Sequence, residues 1–93
     1  MKVYQQGGQI VVAACDAELI GQTFEEGEMI LKVTSFYDGS FTSEEELVVN
    51  LRAATSANLV GKRTIKVAVS AGIINKDGVI RIGGVPHAQL YRF

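Results

Sequence analysis

One cysteine, one histidine, one proline and no tryptophan occur in the 93-residue chain. Each scarcity removes a class of chemistry. A lone Cys15 cannot close an internal disulfide, which sets aside the disulfide-dependent secreted scaffolds. One Cys and one His, at no paired spacing, fall short of a zinc ligand set. A site of Cys15, Asp16 and His87 would need the fold to bring them together, and no metal or cofactor is expected. Covalent catalysis needs an activated nucleophile with a base in reach. Cys15 with His87 is the only Cys/His pair, and Cys15 ends an apolar strand, where a thiol is ordinarily an inert small hydrophobe. There is no Gly-x-Ser-x-Gly elbow. Gly61-Lys62 invites comparison with a Walker loop, but that loop needs glycine at position 56 and a hydroxyl at 63, where the chain has Ser56 and Arg63.

Long apolar runs are also absent. The longest, Ile10 to Cys15, is far below the ~20 residues of a membrane span. The segment Met1 to Gly8 has one charge and no apolar stretch behind it, so a signal peptide is not expected and the expected location is cytoplasmic. Hydrophobic content of 47% argues against disorder. The length suits a single domain over residues 1–93.

What is present is a division of charge. Net charge is −1, yet residues 1–46 balance to −7 and residues 47–93 to +6. Such asymmetry marks a nucleic-acid surface when it persists in the fold, or nothing when the halves interleave as surface ion pairs.

The patterning predicts an α+β fold, a small and mostly antiparallel sheet of hairpins packed against about two helices. Residues 2–5 and 10–15 flank Gly7-Gly8 as an opening hairpin. Asp16 is expected to cap a short turn over residues 17–20, followed by a loop with Glu25-Glu26-Gly27. Residues 29–34 read as a strand, and Asp38-Gly39 as a turn that sets Phe36 against Phe41. Thr42 or Ser43 caps the clearest helix, with Glu45 or Glu46 completing a capping box and Leu47, Val48, Leu51, Ala54 and Thr55 on one face. Residues 56–61 read as a link. Over 62–71 both periods fit, and helix is favoured, ending at Ala71-Gly72 before Ile73-Ile74 return to the sheet. A turn at 75–78 and strands over 79–82 and 88–93 complete the chain.

Gly83-Gly84-Val85-Pro86-His87 has two readings. One is a preformed anion or small-molecule site, with backbone N–H groups beside His87. The other is a tight turn in which His87 caps a backbone carbonyl. Lys62, Arg63 and Lys66 are neighbours on a helix surface, and Arg52, with Lys76 and Arg81 beyond, extends a basic patch suited to phosphates. The competing reading is a solvated helix face. No base-reading aromatic motif accompanies the patch, so sequence-specific RNA recognition is not indicated.

Four blocks together resemble a known family: Asp16-Ala17-Glu18-Leu19-Ile20-Gly21-Gln22-Thr23-Phe24-Glu25-Glu26-Gly27, Phe36-Tyr37-Asp38-Gly39, Ala57-Asn58-Leu59-Val60-Gly61 and Gly83-Gly84-Val85-Pro86-His87-Ala88-Gln89. The resemblance is to domain of unknown function family 424, an uncharacterised archaeal family of single-domain proteins. It implies an archaeal, cytoplasmic source and no particular activity. It marks Asp16, Glu18, Gly21, Gly83, Gly84, Pro86 and His87 as motif positions. If those blocks converge, Asp16 or Glu18 could orient His87 as a carboxylate–imidazole pair.

The leading functional expectation is a non-enzymatic interaction protein that contacts RNA or a ribonucleoprotein through Arg52, Lys62, Arg63 and Lys66. The alternative is a small-molecule or anion-binding domain, an enzyme among its forms, built on Gly83, Gly84, Pro86 and His87 with Asp16 and Glu18. A third is a homo-oligomer that pairs through exposed sheet edges such as the C-terminal strand.

Overall fold

Gly7-Gly8 turns strand β1 (Lys2–Gln6) back on β2 (Gln9–Cys15), in register from Lys2 against Ala13 to Gln6 against Gln9. The structure is a computed structural model and describes residues 1–37 and 43–92. The expected Asp38-Gly39 turn, Phe41, Thr42 and Phe93 lie outside the described residues. Among those described, the remaining elements are β3 (Thr23–Glu26), β4 (Met29–Lys32), α1 (Glu44–Ala53), β5 (Ser56–Val60), α2 (Lys62–Ser70), β6 (Ile80–Ile82) and β7 (Val85–Tyr91).

Five strands form one sheet in the order β1-β2-β5-β7-β6, and β3 and β4 form a separate hairpin. Every adjacent pair is antiparallel except β2 with β5. The α+β architecture expected from the patterning is therefore the one observed. The edges of the large sheet are β1 and β6; β7 pairs with β6 over Val85–His87 and with β5 over His87–Tyr91.

The two faces of the sheet build separate cores. On one, Val12, Ala14, Ala57, Leu59 and Ala88 meet Leu47 and Leu51 of α1 and Ile65 and Ala68 of α2. On the other, Ala13, Val60 and Ile82 meet Leu31, Val33 and Tyr37. Three layers result, with helices, sheet and small hairpin in that order. No helix among the described residues is long and apolar enough to cross a membrane.

Four local expectations are corrected. Residues 56–61 are not a link; 56–60 form β5, the middle strand, parallel to β2 and antiparallel to β7. Ser56 and Asn58 disguise it, because they face a partly open side of the sheet while Ala57 and Leu59 are buried. The loop around Glu25-Glu26 is strand β3 over Thr23–Glu26, paired to β4. Ile73 and Ile74 do not rejoin the sheet. Their N–H groups return to Ala68 O at the end of α2, and their side chains pack on the helix-side core. Thr55 lies beyond the end of α1, where its hydroxyl exchanges hydrogen bonds with Ile10 N and O and ties β5 to β2. The α1 start is as expected, with Ser43 Oγ accepting the Glu46 N–H and three glutamates in the first turn.

Tyr37 supplies a pH test of the hairpin-side core. Burial raises its phenol pKa, and the neighbouring Cys15 adds to the rise. The folded state thus disfavours the phenolate. Stability should be unaffected by this group below the unfolded phenol value of about 10, and should fall as pH rises past it. Urea midpoints at rising alkaline pH should decline less steeply in Tyr37→Phe than in the parent protein.

Candidate functional site

Asp16 follows β2 directly, and its N–H donates to Val60 O at 3.1 Å, which places it beside the end of β5. Its carboxylate makes no side-chain cap on the turn that follows it, contrary to expectation. It caps α2 instead: Oδ2 accepts the Arg63 N–H at 3.2 Å, and Oδ1 accepts the Thr64 N–H and hydroxyl, each at 2.9 Å. The positive end of that helix attracts the nearer carboxylate across space. Asp16 is 8% exposed. Gly61, between β5 and α2, accommodates it with φ +108°, and an added Cβ would sit 2.6 and 2.7 Å from the carboxylate oxygens. The helix start that resembled half a phosphate loop already holds an anion of its own. Alongside, Glu18 pairs with the Arg63 guanidinium on an exposed surface, where such pairs contribute little.

Gly83 and Gly84 form the two-residue turn between β6 and β7, with φ +60° and +83°. Their neighbours Val85, Pro86 and His87 are not loop; they are the first residues of β7. The Gly83 N–H donates to Glu26 Oε1 at 3.2 Å, and a Cβ there would press on the β3 backbone at Glu25 O. Pro86 fits a strand because of its place. Its O accepts the Gly61 N–H at 2.9 Å, and the carbonyl that a ladder N–H at 86 would have met, Gly61 O, has turned into α2 to accept the Ile65 N–H. His87 Nδ1 lies 2.9 Å from Leu59 O. A carbonyl only accepts, so Nδ1 carries the proton. Neither Asp16 nor Glu18 hydrogen-bonds His87, and the carboxylate–imidazole pair does not form.

The basic residues divide into two groups. The first is used by the fold. Arg52 Nη2 donates to Ala71 O beyond α2, Arg63 holds Glu18, and Arg92 Nη1 reaches Leu51 O, Arg52 O and Ala54 O at the carboxyl end of α1. The second group lines an open groove of about 480 Å³. Lys62, Ile65, Lys66 and Val69, at helical spacing on one face of α2, form one wall. Lys76, Asp77, Val79 and Arg81 form the other, and Pro86, opposite Arg81 in the sheet, closes the base. None of the four cations makes an ion pair or a side-chain hydrogen bond with a described residue. The described acids of the first half therefore form no ion pair with them. Among the described residues no three Cys, His, Asp or Glu stand together as a metal site.

The family model for "Protein of unknown function (DUF424)" matches residues 4–93. The chain belongs to this family. A similar solved structure is the crystal structure of an uncharacterized conserved protein from Methanopyrus kandleri. It has a TM-score of 0.81 and 27% identity, over 97% of this chain and 87% of that one. No curated protein matches the chain significantly.

In this DUF424 chain the quoted blocks meet in pairs. The first block contributes Asp16 to Gly61 of the third, and Glu26 to Gly83 of the fourth. These contacts fasten α2 and the β6–β7 turn to the rest of the molecule, and so set both walls of the groove. Sequence reasoning placed Lys62 and Lys66 on one helix face and named Lys76 and Arg81 as extensions. It did not place Asp77 in the groove, nor Arg92 on α1. A cue for Asp77 lay in the Asn75 cap that turns residues 76–78, whose Oδ1 accepts the Asp77 N–H.

Proposed function

We propose that the protein is an RNA-binding module that contacts phosphates along the groove between α2 and β6, through Lys62, Lys66, Lys76 and Arg81. The observation that supports this reading most directly is that four cations converge there with no acid among the described residues pairing them. Four cations against the single carboxylate of Asp77 leave a predominantly positive field in a concavity with low-dielectric walls, which attracts a polyanion. Arg52 and Arg63 are occupied elsewhere in the fold, so the proposed contact set is shifted toward the sheet edge. The Gly83–His87 alternative is weaker on two counts. The Gly83 amide already receives Glu26, whose charge opposes an incoming anion, and the His87 Nδ1 proton is committed to Leu59 O.

Filter binding to a structured RNA over a salt series tests the reading. The logarithm of affinity should fall with the logarithm of salt at a slope of roughly −3, from about 0.7–0.9 per phosphate neutralised. Lys62→Glu combined with Lys66→Glu should weaken binding by about 100-fold or more. Absent binding at low salt, or binding indifferent to the double reversal, removes the proposal.

A further inference from the structure

A surface that only tracks phosphates needs cations and water, yet this groove has more. Between its cations the lining is apolar, with Ile65, Val69 and Val79 in the walls and Pro86 at the base. Its rim includes one carboxylate, Asp77, among the cations. A carboxylate there weakens the hold on phosphate, unless it accepts a hydrogen bond from the ligand. Asn75 fixes the turn that carries it, through the Asp77 N–H at 3.0 Å. The volume of about 480 Å³ falls inside the ~300–1,000 Å³ range of small-ligand sites. That space suits one nucleotide.

We propose that the groove receives a single unpaired nucleotide of an RNA strand. The base lies against Ile65, Val69, Val79 and Pro86. The flanking phosphates meet Lys62, Lys66, Lys76 and the Arg81 guanidinium, whose planar fork suits a phosphate bidentately. Asp77 accepts from a base amino group or a ribose hydroxyl, donors that a backbone phosphodiester lacks. A base reaches an apolar lining only when it is unstacked and unpaired, so the site selects loops, bulges and ends over stems. The inference rests on the RNA reading above and narrows it from phosphate contact to recognition of an unpaired residue.

The test uses the intact chain with two fluorescently labelled RNAs of equal phosphate number, one unpaired and one a fully paired stem, followed by anisotropy. The unpaired strand should bind about tenfold more tightly. Adenosine monophosphate should displace it more effectively than inorganic pyrophosphate at equal concentration. Val69→Thr, which keeps the side-chain shape at a half-buried position and adds polarity to the lining, should cost the single strand about threefold and leave the salt slope unchanged. Asp77→Asn, at an exposed position, should narrow the single-strand preference by about threefold, since it removes repulsion toward phosphate. Lys66→Gln should instead weaken both RNAs and reduce the slope by about one. Equal affinity for strand and stem, or displacement by pyrophosphate as strong as by the nucleotide, overturns the unpaired-base inference and leaves the RNA reading standing. No binding to either RNA overturns both.

Discussion

Replacing Gly61 by alanine is expected to destabilise the protein by about 4 kcal/mol or more. Three effects combine. Backbone at φ +108° and ψ 154° is a region used almost only by glycine, and another residue there costs roughly 1–3 kcal/mol. The new methyl would also occupy the space of the Asp16 carboxylate, and overpacking of this kind costs about 1–3 kcal/mol. Moving the carboxylate away then releases its hold on the start of α2, a cap worth about 0.5–2 kcal/mol. Against a total stability of about 5–15 kcal/mol for a small domain, the loss is most of the margin. Thermal melting should shift downward by more than about 15 °C. The cost should be smaller when measured in an Asp16→Ala background, because the clash and the lost cap are then already absent. Equal costs in the two backgrounds would show that the backbone, and not the carboxylate, sets the requirement for glycine.

Asp16→Ala is the second large effect, expected at about 2–4 kcal/mol by urea denaturation. One side chain accepts three hydrogen bonds at once, two from backbone N–H groups and one from the Thr64 hydroxyl. Thr64 is itself buried, so truncation leaves donors without water or partner, at about 1–3 kcal/mol for a buried group. Asp16→Asn should cost roughly half as much. Its amide oxygen keeps the Thr64 contacts on Oδ1, while its NH₂ group opposes the Arg63 N–H. A further sign should appear in hydrogen exchange, with protection lost first in the opening turn of α2. A stability unchanged in Asp16→Ala would mean that the helix start is satisfied by water.

These two residues also show what was legible in the chain before its fold. Asp16 reads plainly as a cap, and it is one. Its helix, however, begins 46 positions later in the chain, past three strands and another helix, and local pattern carries no information about that partner. The β5 strand was obscured for the opposite reason. Its sequence neighbours Gly61 and the α1 end suggest a connection, and Ser56 and Asn58 look like loop residues until the sheet gives them a face. Gly83-Gly84 was readable as a turn, but Pro86 concealed the strand that starts immediately after it. Only the turn of Gly61 O into α2 makes a proline acceptable there. The helical spacing of Lys62 and Lys66 was visible in sequence. Which cations would remain unpaired was not, since Arg52, Arg63 and Arg92 could be separated from them only by knowing which carbonyls and carboxylates they meet.

The position of β5 between β2 and β7 has a consequence for the newborn chain. β2 is made first, and β5 can join it as soon as residue 60 is available. The β7 strand that covers the other side of β5 is not complete until Tyr91. At about 5–20 residues per second of synthesis, the middle strand spends a few seconds with a bare row of N–H and C=O groups along one flank. Whatever protects the nascent protein from sticking to its neighbours must act in that interval, because once β7 docks the same flank lies at the centre of the sheet.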